Sequence, residues 1–289
     1  MLALRAGIPT LLEVHDRPTG HIGPWLYRQF IRRGSSKQAP RRLLVITKAL
    51  LRNLRAQFEP QFGDQLEPQL VENIQNIDVQ IAPNGVDLSQ YENLPDAPAA
   101  RRQLNLPERI TVVYSGHFYA GRGMELLHDL AKRFPQVQFL WIGGRDEDVN
   151  AWRSQLAAEK LEHVILTGFL SQRVLPLYQA AGDILLMPYE RSIAGSSGGN
   201  SADICSPMKM FDYLAAGRVI LTSDLPVFHE ILNETNAVFA PPQDIEAWSK
   251  ALCRLIDDTP LRLRLSTQAR LDARQHTWQE RARRALLNF

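Results

Sequence analysis

The sequence predicts an α/β chain built on parallel sheets and divided into two domains. Three observations carry that expectation. Short apolar, β-branched runs recur along the chain, each bounded by Gly, Pro, Asn or Asp. Segments with helical periodicity, rather than tight turns, separate most of them. The length, 289 residues, exceeds what one ordinary domain needs and suits two.

The strand-like runs are, in order, "TLLEV", "RLLVIT", "VQIAP", "ITVVYSG", "VQFLWIG", "VILTGF", "DILLMP", "RVILTS" and "AVFAPP". Their continuous apolar character is that of strands buried on both faces, as in a parallel sheet with helices on either side. Segments such as "GMELLHDLAKRF", "DVNAWRSQLAAEK" and "DIEAWSKALCRLIDD" supply those helices. The stretch "GVDLSQYENLPDAPAARRQLNLPER" carries prolines and no strand pattern, so it reads as the linker between domains. Six strands follow it, enough for a complete doubly wound domain. Three precede it, which makes a thin sheet and the expectation of a first domain lacking its beginning. The last helix, "HTWQERARRALLNF", sets Trp278, Ala282, Ala285 and Leu286 on one face and arginines on the other. The boundaries expected are 1–94 for the first domain, 95–275 for the second and 276–289 for the closing helix, which would pack back on the first domain.

Composition excludes several classes. At 45% hydrophobic and 22% charged residues, the chain holds enough apolar matter for sizeable cores and is not a disordered polymer. Cys205 and Cys253 lack metal-ligand spacing and fit a reduced, cytoplasmic protein better than a disulfide framework. No apolar run reaches the roughly 20 residues of a membrane-spanning helix. The opening "MLALRAGIPTLLEV" has no basic region before its apolar stretch and no small-residue cleavage site, unlike a signal peptide. The net charge of +2 conceals an asymmetry: residues 1–60 carry 11 Arg and Lys against 3 Asp and Glu. An anionic partner or a merely solvated face would each account for it. Within that segment, "PWLYRQFIRRGSSKQAPRR" interleaves aromatic and basic residues. It reads either as a helix resting on a membrane surface or as one packing its aromatic side on the sheet. Nothing beyond basic charge points to nucleic acid.

In open α/β sheets, ligands bind beyond the carboxyl ends of the strands, so the turns that follow strands are the informative ones. Three stand out. In "YSGHFYAGRGMELL" the strand ends at Gly116 and a helix starts near Met124. Arg122 lies between two glycines, beside the exposed N–H groups of a helix N-terminus, and His117 is a further donor. In "DILLMPYERSIAGSSGGNSADICSPMKMFDYLAAGRVILTSD" a polar run, long enough for a mobile loop, precedes a helix that Pro207 would begin and Ser206 could cap. Lys209 sits in its first turn, where the helix dipole disfavours a cation, and Asp212 follows one turn later on the same face. A plain Lys–Asp helix pair and an anion-binding device both fit. In "TLLEVHDRPTG", His15 and Asp16 fall at the carboxyl end of a strand, as site residues or as ordinary turn residues.

Taken together with "IAPNGVD", these motifs resemble those of glycosyltransferase family 4, retaining enzymes of the GT-B fold, from about Pro9 to the last helix. The resemblance implies two Rossmann-like parallel-sheet domains, with a nucleotide-sugar held mainly by the second. An intact member would carry several strands before the "EVHD" segment, so it also implies a truncated N-terminal domain. The donor diphosphate would meet Gly116, His117, Arg122, Ser206, Pro207 and Lys209. Asp212 stands where the family usually has a glutamate for the ribose hydroxyls, and His117 where it often has an arginine. Phe169 would adjoin the nucleobase. His15 matches the catalytic histidine that orients the donor sugar. Many members carry a further acid eight residues before the ribose-binding one; that position is Ile204 here, with Asp203 beside it.

The function implied is sugar transfer from a nucleoside-diphosphate donor of UDP or GDP type to a hydroxyl acceptor, a glycan or a lipid-linked sugar, with retention. No metal and no separate cofactor are expected, because positive side chains and helix dipoles would stabilise the diphosphate. The setting would be cytoplasmic, with peripheral contact at the inner face of the membrane. Two rivals stand beside this reading: a module that binds nucleotide-sugar without turning it over, and another GT-B enzyme such as a nucleotide-sugar epimerase.

Overall fold

The computed structural model describes residues 6–32, 39–58, 77–193 and 200–289, with the side chains of Arg32 and Phe58 left aside. Parts of two sequence readings, the basic stretch at 33–38 and the polar loop at 194–199, lie outside the described residues. The chain divides into two compact units. One comprises residues 1–84, 194–206 and 278–289; the other comprises 85–193 and 207–277.

The first unit holds a three-stranded parallel sheet, β1 (Thr10–Val14), β2 (Arg41–Val45) and β3 (Asp78–Ile81), in that spatial order. The central strand explains the arrangement. Leu43 and Val45 point to one face and meet Tyr27, Phe30 and Ile31 of α1 (Ile22–Arg32) and Leu50 and Leu54 of α2 (Lys48–Phe58). Leu44 points to the other face and meets Ala82 and Ala285, the alternation a strand imposes. Ala285 belongs to α10 (Trp278–Leu286), and its small side chain lets that helix approach closely. The apolar face expected of this helix narrows to that residue, since Trp278 and Leu286 are exposed. Arg41 and Arg42 open β2 in buried positions. The Nε of Arg42 donates to Asp78 at 2.6 Å, and its Nη1 to the Ala285 carbonyl at 2.7 Å.

The same register resolves half of the membrane question. Tyr27, Phe30 and Ile31 are core, whereas Ile22 (72% exposed), Trp25 (49%) and Leu26 (40%) face outward. No helix among the described residues is long and apolar enough to cross a membrane.

The second unit is a six-stranded parallel sheet. Its strands are β4 (Thr111–Gly116), β5 (Gln138–Gly143), β6 (Val164–Gly168), β7 (Ile184–Met187), β8 (Val219–Ser223) and β9 (Ala237–Ala240). The spatial order is β6-β5-β4-β7-β8-β9. The chain builds outward from β4 in one direction, then returns to β4 and builds outward in the other. The reversal leaves a crevice at the carboxyl ends of β4 and β7. Helices α4 (Met124–Arg133), α5 (Asp146–Ala158), α6 (Leu175–Ala180) and α7 (Met208–Ala216) connect the strands from β4 to β8, and α8 (Ile245–Asp257) and α9 (Thr259–Ala273) follow β9. Burial on both faces accounts for the uninterrupted apolar strands: Val113, Tyr114, Leu140, Trp141, Leu185 and Ile220 are all sealed from solvent.

The proline-bearing stretch read as a linker is instead part of the second unit. Asp87 caps a 3-10 turn (Leu88–Tyr91), and Asp96 caps α3 (Ala97–Gln103) through the Ala99 N–H at 2.8 Å. Tyr91 and Ala100 are buried. Arg101 anchors the helix by bonding the Asp183 carboxylate at 2.9 Å, and Asp183 in turn accepts from the Thr111 N–H at 2.8 Å. The prolines restrict the backbone, but the two aspartate caps and a buried tyrosine fix the segment in place.

Candidate functional site

The crevice at β4 and β7 is assembled from three turns of the second unit. After β4, residues 117–123 fold against the chain that follows β7. The Glu190 N–H donates to the Gly121 carbonyl at 3.1 Å, and a side chain at Gly123 would overlap the Pro188 carbonyl. Gly123, at φ +74°, caps α4 without a side-chain acceptor. Pro207 caps α7, likewise without one. Two helix N-termini therefore keep the N–H groups of their first turns uncapped, each carrying the positive end of a helix dipole.

Arg122 and Lys209 converge there. The Arg122 guanidinium lies 4.8 Å from the Tyr119 ring centre and 4.9 Å from that of Tyr189, and it donates to the Tyr119 hydroxyl. The Lys209 Nζ lies 4.0 Å from the Tyr114 ring centre and 5.2 Å from that of Tyr189. It passes so close to Gly116 that a Cβ on that residue would stand 2.5 Å from Nζ. Among the described residues, neither Arg122 Nε nor Lys209 Nζ has a hydrogen-bond partner, although both atoms are covered. Aromatic faces hold the two cations where carboxylates would neutralise them. The site is thus short of negative charge.

The titration behaviour follows from that shortage. Burial, with Arg122 nearby, pushes the Lys209 amine well below the usual lysine range, opposed only by Asp212. His117 is lowered by burial and by the same two cations, so its ring stays neutral near pH 7. Burial raises Asp212 to about 6, against the pull of the neighbouring Tyr91 hydroxyl and of Lys209. Beneath the site runs a buried polar chain. The Tyr91 hydroxyl donates to Gln179 Oε1 at 3.0 Å, and Gln179 Nε2 to Ser115 Oγ at 3.2 Å. The Ser115 N–H donates to the Tyr213 hydroxyl at 2.8 Å. This chain ties α6, the end of β4 and α7 together.

Of the residues singled out from sequence, the structure brings Gly116, His117, Arg122, Pro207, Lys209 and Asp212 to this crevice. Phe169 stands at the carboxyl end of β6 in the same sheet, 81% exposed. Ser206 does not cap α7: its hydroxyl accepts from the Asn84 N–H at 3.1 Å, and its carbonyl from the Asn84 side chain at 2.6 Å. Pro207 takes the cap position in its place. His15 lies exposed at the end of β1 in the first unit, with Nε2 2.7 Å from Glu13 Oε1; Glu13 in turn pairs with Arg281. Ile204 is buried in the first unit's core, and Asp203 is exposed. The aromatic residues Tyr91, Tyr119 and Tyr189 were not anticipated. Tyr119 and Tyr189 follow the carboxyl ends of β4 and β7, and that position was the available signal.

The second unit is thus a doubly wound α/β sheet whose switch point gathers two helix N-termini without side-chain caps and the cationic side chains of Arg122 and Lys209. The chain belongs to the glycosyl transferases group 1 family, which it matches over residues 109–258. The phosphatidyl-myo-inositol mannosyltransferase of Mycolicibacterium smegmatis is 27% identical over 202 residues, covering 68% of this chain and 47% of that protein. The chain thus spans about half the length of such curated relatives. Among solved structures, sucrose-phosphate synthase from Thermosynechococcus elongatus superposes with a TM-score of 0.69 at 18% identity, over 95% of this chain and 65% of that one. Anabaena HepE in complex with UDP and glucose superposes at 0.67 and 17% identity, over 95% and 69%. The fold is the GT-B type, with all-parallel sheets of three and six strands.

Proposed function

We propose that the second unit binds a nucleoside-diphosphate sugar at the β4/β7 crevice and that the protein transfers the sugar to a hydroxyl acceptor with retention. The observation that carries this reading is the pair of covered cationic atoms, Arg122 Nε and Lys209 Nζ, which have no hydrogen-bond partner among the described residues and lie between two helix ends without side-chain caps. A diphosphate supplies the missing charge. Arg122, Lys209 and the N–H groups of α4 and α7 would bind it, with His117 as a neutral donor and Gly116 leaving room. Asp212 would accept from the ribose hydroxyls, and Phe169 would adjoin the base. His15 is assigned, on the family resemblance, the orienting of the sugar.

In the reaction, the acceptor oxygen bonds to the anomeric carbon on the face from which the diphosphate oxygen departs. The hydroxyl proton leaves with the diphosphate. Side chains and helix dipoles, rather than a metal ion, stabilise the departing charge. HepE was solved with UDP, so uridine is the first base to try. Calorimetric titration with UDP and GDP tests the reading. Saturable binding to one of them should weaken at least tenfold in Arg122→Ala and in Asp212→Ala. Binding unchanged by both substitutions would place any nucleotide elsewhere.

One observation favours a second reading, in which the donor binds without turnover. The position where the family often has an additional acid is Ile204, and its side chain is committed to the first unit's core. A transfer assay with labelled donor separates the two readings. The acceptor is proposed to be lipid-linked and the protein to sit at the inner face of the membrane. Support comes from Ile22, Trp25 and Leu26, which project outward in a basic segment. Failure to float with anionic vesicles would sink that part.

A further inference from the structure

We propose that Tyr213 is a positioning residue whose hydroxyl replaces a missing rung between β4 and β7 and holds the crevice open for the diphosphate. The last clause rests on the nucleotide reading above. Pairing between the two strands ends early, at Val112–Ile184 and Val113–Leu185. Beyond that point each strand keeps only its outer neighbour. β4 stays paired with β5 as far as Gly116–Gly143, and β7 with β8 as far as Met187–Thr222. The six-stranded sheet therefore splits between its two central strands, at the mouth of the crevice.

The split leaves a backbone donor and acceptor to be satisfied inside the protein. In the parallel ladder, the next rung would join the Ser115 N–H to the Leu186 carbonyl. Both groups bond one phenol instead. The Ser115 N–H donates to the Tyr213 hydroxyl oxygen at 2.8 Å, and the hydroxyl donates to the Leu186 carbonyl at 3.3 Å. A direct rung spans about 2.9 Å, whereas here two bonds in series cross the gap. Ser115 Oγ also donates to the phenol oxygen, at 3.2 Å, and accepts from Gln179 Nε2 at 3.2 Å. The one donor and two acceptor sites of the phenol are thus all filled. Tyr213 is sealed from solvent, so the bridge is part of the fold and not a surface contact. Its place ties it to the cations. Lys209 and Tyr213 are four residues apart on one face of α7. Gly116, next to Ser115, is where the Lys209 Nζ passes, 2.5 Å from the position a Cβ would take. Closing the gap would draw the end of β4 toward β7 and disturb that approach.

NMR couplings across hydrogen bonds test the wedge on the original chain without ligand. Ladder amides should couple to the carbonyl carbons that they bond, and the Ser115 amide to none. A coupling from the Ser115 nitrogen to the Leu186 carbonyl carbon overturns the proposal. This measurement needs no variant, so it decides alone if Tyr213→Phe does not fold. In the folded variant, which keeps the ring and lacks the hydroxyl, that coupling should appear as the strands close. Calorimetry should then show the affinities for UDP and for inorganic pyrophosphate each reduced about tenfold. A coupling that stays absent, or affinities within about twofold of the original, overturn the proposal whatever the loss in stability, because Tyr213 would then only pack. If the couplings come out as expected but the original chain binds neither nucleotide nor pyrophosphate, Tyr213 does hold the strands apart and the nucleotide reading is what fails.

Discussion

The two ends of helix α7 are built on opposite plans. At its C-terminus the carbonyls are met by donors from the protein itself. Gly217 takes the left-handed conformation at φ +60°, and its N–H returns to the Leu214 carbonyl. Arg218 Nη1 donates to the carbonyls of Ala216 and Gly217, Nη2 to those of Pro95 and Ala180, and Nε to those of Ala180 and Gly182. Arg270 donates to the Ala215 carbonyl. Cations at a helix C-terminus are where the dipole favours them. At the N-terminus the cation is Lys209, opposed by the dipole, set against the rings of Tyr114 and Tyr189 and without a hydrogen bond among the described residues. One end is a finished piece of structure. The other has the composition of a finished site only once an anion is added.

This contrast predicts effects of opposite sign. The largest loss should come from Arg218→Ala, which deprives a cluster of partly buried carbonyls of their donors. At roughly 1–3 kcal/mol for each buried group left unsatisfied, and with some admitting water, the cost should be about 4 kcal/mol. Urea unfolding measures it, and a loss under about 1 kcal/mol would mean that those bonds are ornamental. Nucleotide affinity of the folded fraction should stay unchanged.

Asp212 comes next, because it stands between the two plans. Its folded midpoint of about 6 lies above the ordinary 3.8, so the folded chain holds the proton more tightly than the unfolded one. That contribution is fully present below about pH 4 and is lost as pH rises through 6. The displacement corresponds to roughly 3 kcal/mol at most, less with solvent access. Comparing Asp212→Asn with the original chain at pH 4 and pH 6.5 isolates it. The stability difference should shift in favour of Asn by about 2 kcal/mol between the two conditions.

The finished parts and the unfinished one were not equally legible in the sequence. The nine strands among the described residues lie where the apolar runs place them, and the signal is strongest for β2, β4, β5, β7 and β8, which are buried along nearly all their length. That Lys209 and Asp212 share a face of α7 was also legible, because helix geometry fixes residues three apart. Tyr91 was not. Its segment reads as a linker by its prolines, and only the packing of residues far apart in the chain, Tyr91 with Gln179 and Arg101 with Asp183, shows that it belongs to the second unit. The capping reading of Ser206 failed because a serine before a proline fits a cap by local rules, while its partner, Asn84, lies 122 residues away. The rings around Arg122 and Lys209 come from the ends of two strands that meet only at the reversal of the sheet order. No local pattern encodes that meeting.

The smallest effect is also the most discriminating. Lys209→Met should stabilise the ligand-free protein by about 1 kcal/mol. An unpartnered buried amine costs on the order of 1–3 kcal/mol. The attraction of the Tyr114 ring returns only part of that, because a cation–π contact needs the charged form and burial works against it. The pH dependence has a definite sign. With its folded midpoint depressed, Lys209 is uncharged in the folded chain over a range where the unfolded chain holds the proton. Its penalty therefore grows as pH falls from about 10 toward the folded midpoint, and the methionine advantage should be larger at pH 7 than at pH 10. The same depression predicts proton uptake when a diphosphate enters, since the anion restores the charged amine. Calorimetry at a pH between the folded midpoint and 10, in two buffers of different ionisation enthalpy, should show that uptake in the original chain and not in Lys209→Met. A variant less stable than its parent at pH 7 would mean that Lys209 is already satisfied, and that the two ends of α7 follow the same plan after all.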